Sequence, residues 1–201
     1  MKKILEVKHL HVSPIHEPHR HLVNDVSFDL YPGKTTCIVG ESGSGKSLTA
    51  LSIMKLLSSQ LKQTGDIVFE NQQLSQLSNA AMRSYRGKSM AMIFQEPMTS
   101  LNPVISVGDQ MKEALSVHLD LDKKSLNKKV AALLKEVGIA EDRVSSYPDE
   151  LSGGQRQRIM IAMSIACEPS ILIADEPTTA LDVTVQAQIL KLLQNLKEKR
   201  Q

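Results

Sequence analysis

Gly40-Glu41-Ser42-Gly43-Ser44-Gly45-Lys46-Ser47 is the stretch whose reading decides the fold. It matches the spacing G-x-x-x-x-G-K-[ST] in full. An apolar, β-branched run, Thr35 to Val39, precedes it and predicts a strand. A helical pattern follows from Lys46 through Leu57, with Leu48, Leu51, Met54 and Leu57 at helical spacing. Three glycines let successive backbone N–H groups converge on phosphate oxygens, and the helix N-terminus adds partial positive charge at the same spot. Lys46 has the reach for β- and γ-phosphates, and the Ser47 hydroxyl suits Mg2+. Gly40 to Leu48 are therefore the nucleotide-contacting candidates. A Gly/Ser turn with a chance lysine is the alternative, and the flanking strand and helix argue against it. The motif does not distinguish ATP from GTP, nor name the work done.

Ile171-Leu172-Ile173-Ala174-Asp175-Glu176 is a short all-apolar run of the kind buried on both faces, ending in two carboxylates. In a parallel sheet such strand ends face the ligand crevice. Asp175 suits a Mg2+ ligand, through water, and Glu176 suits the group that polarises an attacking water. A solvated cap on the turn Pro177-Thr178-Thr179 is the alternative, and the phosphate loop decides against it.

The rest of the chain predicts an α/β protein. Ile4 to Val12 and Leu22 to Leu30 alternate as strands, and Asp66 to Glu70 and Ser89 to Phe94 are further strand candidates. From Pro97 to Pro148 the texture turns helical, with Leu126, Val130, Leu133, Leu134 and Val137 on one face. Val185 to Arg200 is the last predicted helix. These elements imply a nucleotide-binding core at 1–96 and 150–201, with a helical subdomain at about 97–149.

Composition narrows the class. The chain has 201 residues, 41% hydrophobic and 23% charged, with a net charge of +2 from interspersed signs. Neither that balance nor an aromatic content of 3% suits a nucleic-acid surface. No window approaches the roughly 18 apolar residues that span a bilayer, and MKKILEVKHL lacks the apolar region of a secretory signal. A membrane role then has to come through a partner. Cys37 and Cys167 sit in apolar surroundings and read as buried reduced thiols.

Leu151-Ser152-Gly153-Gly154-Gln155 opens a helix from Arg156 to Ala166 and makes a second anion-binding terminus on one chain. One nucleotide rarely needs two, so the second points to a neighbouring copy's nucleotide. Here the sequence resembles the ABC ATPase family, from Ile4 to about Lys199. The resemblance implies a head-to-tail pair of such subunits, homodimer or heterodimer, in which Ser152 to Gln155 face the other subunit's ATP. It also implies that Gln95, at the exit of the strand Met90 to Phe94, touches the metal and the attacking water. Ala180-Leu181-Asp182 then crosses the dimer interface. The run Phe94 to Pro103 (FQEPMTSLNP), the phosphate loop and Tyr147 to Gln155 look like the ATP-binding subunits of peptide, nickel and metallophore importers. That group implies a peripheral place on the cytoplasmic face of the membrane. It also implies two permease subunits docking near residues 97–118, and an extracytoplasmic protein that delivers solute.

Two features depart from the family pattern. His11-Val12-Ser13-Pro14-Ile15-His16 has no aromatic residue for the adenine, which leaves that contact near His16. The last histidine is His118, so the family's switch histidine and the strand that bears it are not in these 201 residues. That predicts C-terminal strands cut short, and ATP binding with little hydrolysis by this stretch alone. Five of the six histidines, His9, His11, His16, His19 and His21, fall together. A solvated hairpin is the favoured reading over a metal-sensing loop. Among other functions, a non-transport ABC ATPase acting on nucleic acid or ribosomes is the alternative. A small-molecule kinase leaves Leu151 to Gln155 unexplained.

Overall fold

The structure is a computed structural model that describes residues 2–95, 100–179 and 181–200. Its backbone forms two compact units, divided after Arg83.

The first unit holds an antiparallel sheet of β1 (Leu5–Pro14), β2 (Val23–Leu30), β3 (Leu61–Phe69) and β4 (Gln72–Gln73), in the order β2-β1-β3-β4. Alternation buries Leu5 and Val7, then Leu10 and Val12, so the apolar phase slips between Val7 and Leu10. A bulge absorbs the slip. Pairing of β1 with β3 passes from Lys8↔Asp66 to His11↔Thr64, and His9 (φ 49) and Gly65 (φ 94) take left-handed backbones there. On the other side, β1 pairs Val7↔Phe28, then Leu10↔Val26, then Val12↔Val23, with Asp25 at φ 52. The extra residue in β1 is thus answered by one in β2, and the original alignment returns. Helix α1 (Lys46–Ile53) follows the phosphate loop, and α2 (Asn79–Met82) ends the unit.

The second unit pairs β5 (Met90–Ile93) in parallel with β6 (Ile171–Ala174). Around them run α3 (Val107–Ser116), α4 (Lys123–Glu136), α5 (Gly153–Ile165) and α6 (Val183–Lys199). Their apolar faces meet in one core that includes Val107, Met111, Leu115, Val130, Leu134, Ile159, Ile161, Ile189 and Leu196. Each helix start is capped from the chain itself. Ser106, Asp122, Ser152 and Asp182 accept the amide three residues on. The Ser125 hydroxyl and amide hold the Asp122 carboxyl below the usual carboxylate range. Buried Gln110 accepts the Asn102 amide and donates to the carbonyls of Asn102 and Ile105, fixing the entry to α3.

The structure corrects several expectations. Thr35 to Val39 is not a strand: it pairs with no strand among the described residues, and Val39 is 91% exposed. Propensity favours a strand there, but a strand exists only where a neighbour takes its N–H and C=O groups. Cys37 lies in this run and is exposed rather than buried. Cys167 is half-buried, and burial pushes its thiol pKa up. β6 is not buried on both faces: Ile171 is buried, while Leu172 and Ile173 are half-buried. The first helix stops at Ile53 rather than Leu57. Lys55 turns left-handed (φ 52), and its ammonium donates to the carbonyls of Ser75 and Leu77.

Candidate functional site

The phosphate loop belongs to the first unit. Gly43 and Gly45 sit at φ 80 and φ 92, conformations that reverse the chain so that α1 starts at Lys46. Gly40 to Ser44 are exposed, and Gly45 to Leu48 are half-buried. The Lys46 ammonium donates to the carbonyls of Gly40 and Glu41, each at 2.8 Å, and so lies over the loop. Ser44 donates its amide to the Glu41 carbonyl. The return leg of the turn after β1 passes close by: a Cβ on Gly45 would come 2.8 Å from the Leu22 carbonyl oxygen. These residues fit a bound triphosphate. A cation and a helix N-terminus converge on a loop open to solvent, and Ser47 supplies a hydroxyl one residue on.

The histidine-rich segment sits in the same unit. His9 Nδ1 lies 2.8 Å from Asp25 Oδ1, and the rings of His11 and His21 are 5.2 Å apart. His16 and His19 lie in the exposed turn. Among the described residues no group of three or more His, Cys, Asp or Glu side chains is arranged to hold a metal ion.

In the second unit the parallel pairing brings two distant strand ends level. Asp175 donates its amide to the Ile93 carbonyl, so β5 and β6 run out together. Gln95 and Glu176 follow at those exits, 81 positions apart in sequence, and Gln95 Nε2 donates to Glu176 Oε2 at 3.0 Å. Thr179 Oγ1 donates to the same oxygen, also at 3.0 Å. Glu176 has φ 46, a left-handed backbone that a non-glycine residue holds only where the surroundings enforce it. Asp175 is half-buried beside it. The chemistry available is a carboxylate oriented at a strand exit by two donors to its Oε2, a group that can act as a base toward water.

The Ser152 to Gln155 segment is a full capping box. Ser152 Oγ accepts the Gln155 amide, and Gln155 Oε1 accepts the Ser152 amide. Ser152→Ala should lower stability by about 1 kcal/mol, read as a shifted urea midpoint with unchanged slope. The signature also packs against the next candidate. A Cβ on Gly154 would meet Val185 Cγ1 at 2.8 Å, so a larger residue here would force the valine side chain aside. Asp182 caps α6 by accepting the Val185 amide at 2.9 Å. Of the sequence candidates, Ala180 and Glu96 to Thr99 lie outside the described residues.

Sequence reasoning missed Thr179, Gln157 and Gln186. Gln157 Nε2 donates to the Pro177 carbonyl at 2.7 Å, and Gln186 Nε2 donates to the carbonyls of Thr178 and Leu181. The one available signal was a glutamine at a core-facing position of α5, three residues before buried Met160 and four before buried Ile161.

Comparison with known proteins places this geometry in a family. The family model described as ABC transporter matches residues 23–179. The dipeptide transport ATP-binding protein DppD of Bacillus subtilis (strain 168) is 52% identical over 99% of this chain and 61% of its own length. The oligopeptide transport ATP-binding protein OppD of the same organism is 48% identical, over 98% of this chain and 56% of its own. The glutathione import ATP-binding protein GsiA of Escherichia coli is 47% identical, over 97% and 33%. The chain thus spans about three fifths of the length of the first two relatives. Among solved structures, a post-hydrolysis dimer of the ATP-binding cassette MJ0796 bound to ADP and Pi superposes with a TM-score of 0.83 at 26% identity. That match covers 97% of this chain and 83% of the other. CbiO1 from Clostridium perfringens, part of the transporter complex CbiONQ, gives 0.81 at 28%, over 99% and 75%. The α/β architecture with its antiparallel sheet is therefore that of the ATP-binding cassette, and the chain belongs to the ABC transporter family.

Proposed function

We propose that this chain is the ATP-binding and hydrolysing part of an importer for peptides, nickel or a metal chelate, peripheral on the cytoplasmic face of the membrane. The observation that carries the reading is Glu176, its carboxylate fixed by Gln95 and Thr179 at the end of β6. Residues 1–96 and 150–201 serve as its nucleotide-binding core, and about 97–149 as its helical subdomain. Lys46 and the amides of Gly40 to Leu48 bind the phosphates of ATP, with the base contact in the turn near His16. Ser47, Gln95 and Asp175 are the residues to hold Mg2+, which when bound neutralises charge on the phosphates. Glu176 takes a proton from the attacking water, and Gln95 orients it.

Ser152, Gly153, Gly154 and Gln155 receive the nucleotide of a second ABC ATPase subunit, and Asp182 anchors the segment that crosses to it. The names of relatives identical at about half of their aligned positions support peptide import. Exposed Val104 and Val117, at 77% and 70%, support permease docking near 97–118. Among the described residues no helix is long and apolar enough to cross a membrane, which suits attachment through permeases. No observation favours nucleic acid as partner.

Affinity purification of the complete subunit from detergent-solubilised membranes should bring down two permeases. Lys46→Ala should weaken ATP binding at least about tenfold without disturbing that assembly. Recovery of ribosomes or nucleic acid in place of permeases would overturn the transport reading.

A further inference from the structure

We propose that Gln157 is a positioning residue for Glu176, gripping the peptide just after it from the helix that the Ser152–Gln155 signature opens. The role of Glu176 itself rests on the reading given above. Gln157 lies on α5 and is 1% exposed. Its Nε2 donates to the Pro177 carbonyl at 2.7 Å, while its Oε1 is buried with no partner among the described residues. A side chain present only to fill the core would be better served by methionine or leucine, since burying an unpaired amide oxygen is unfavourable. The amide is explained by the bond it makes.

That bond falls where the loop most needs it. Glu176 holds φ 46, and its own carbonyl already accepts the Thr179 amide at 3.1 Å. Pro177 has no N–H to donate, so its carbonyl is the next backbone group by which the turn is held. The Thr178 carbonyl accepts Gln186 Nε2 from α6. Three successive carbonyls after β6 are thus engaged, and the central one is engaged by the signature helix. Displacing the turn would let Glu176 relax toward an ordinary backbone and re-aim its carboxylate. Because α5 runs from its cap at Ser152 through Gln157, whatever docks on the signature bears on this grip.

The test uses the complete subunit assembled with its partners. Gln157→Met keeps the volume and removes the donor. It should lower kcat about tenfold while KM for ATP stays within twofold, and it should speed hydrogen exchange at the Thr179 amide without speeding it along α4. Gln157→Glu supplies a conditional donor, because only the protonated carboxyl can give a hydrogen to the Pro177 carbonyl. Its kcat should approach wild type at low pH and fall as pH rises through that carboxyl's pKa, a limb absent from Gln157→Met. In a Glu176→Gln background, Gln157→Met should cost nothing further.

Wild-type kcat in Gln157→Met, unchanged Thr179 exchange, or equal losses in both backgrounds would overturn the proposal. Wild-type turnover insensitive to Glu176→Gln would overturn the hydrolytic reading instead. The exchange measurement then still decides whether Gln157 holds the turn.

Discussion

Glu176→Gln should reduce steady-state ATP turnover of the complete subunit by about two to three orders of magnitude, with ATP affinity changed less than about threefold. The substitution changes almost nothing in shape. A glutamine still offers an oxygen to Gln95 Nε2 and to Thr179 Oγ1, the two donors that fix the carboxylate at 3.0 Å each. What it removes is the capacity to accept a proton from water. Binding is expected to survive because the residues proposed to grip phosphate, Lys46 and the loop from Gly40, belong to the other unit of the chain. Phosphate release under saturating ATP, set beside equilibrium binding of a fluorescent ATP analogue, separates the two quantities. Turnover within a few-fold of wild type would remove Glu176 from the catalytic role.

Gly65→Ala should cost about 3–4 kcal/mol of stability and lower the melting temperature by roughly 10 °C. Two penalties add. At φ 94 an alanine occupies a left-handed conformation that disfavours any Cβ, worth about 1–2 kcal/mol. The Cβ would also sit 2.3 Å from the His9 carbonyl oxygen and 2.7 Å from that of Lys8. Both are backbone atoms of the central strand, so relief requires β1 and β3 to part at the bulge. Calorimetric melting checks the expectation, and a shift of under 2 °C would show that the bulge can open without penalty. Since the site residues lie elsewhere, the remaining folded fraction should bind ATP normally at 10 °C.

Much of this was legible from local chemistry. The phosphate loop, the acids after β6 and the signature each carry their own instruction: glycines that turn the chain, a strand exit, a Ser-to-Gln capping box. Helix α4 followed from the spacing of Val130, Leu133, Leu134 and Val137, all of which the structure buries. What escaped reading depends on neighbours. Thr35 to Val39 has strand composition and joins no strand ladder among the described residues, because strand pairing is a property of two segments. Ile4 to Val12 reads as plain alternation in the sequence, and only the register of β3 shows the phase slip between Val7 and Leu10 and that Gly65 receives it. Gln157 reads as an ordinary polar residue on a helix; its meaning comes from Pro177, 20 positions away.

The paired bulges of β1 and β2 have a consequence for how this sheet tolerates change. Deleting one residue near His9 would carry every side chain beyond it to the opposite face of the sheet. Asp25 marks where β2 already spends one residue to cancel that offset. The two strands therefore form a matched pair in length, and a gap in one keeps their mutual register only with a gap in the other. The turn from Ile15 to Leu22 stands outside that bookkeeping. It can be lengthened, shortened or replaced, histidines included, while the strands on either side stay in step.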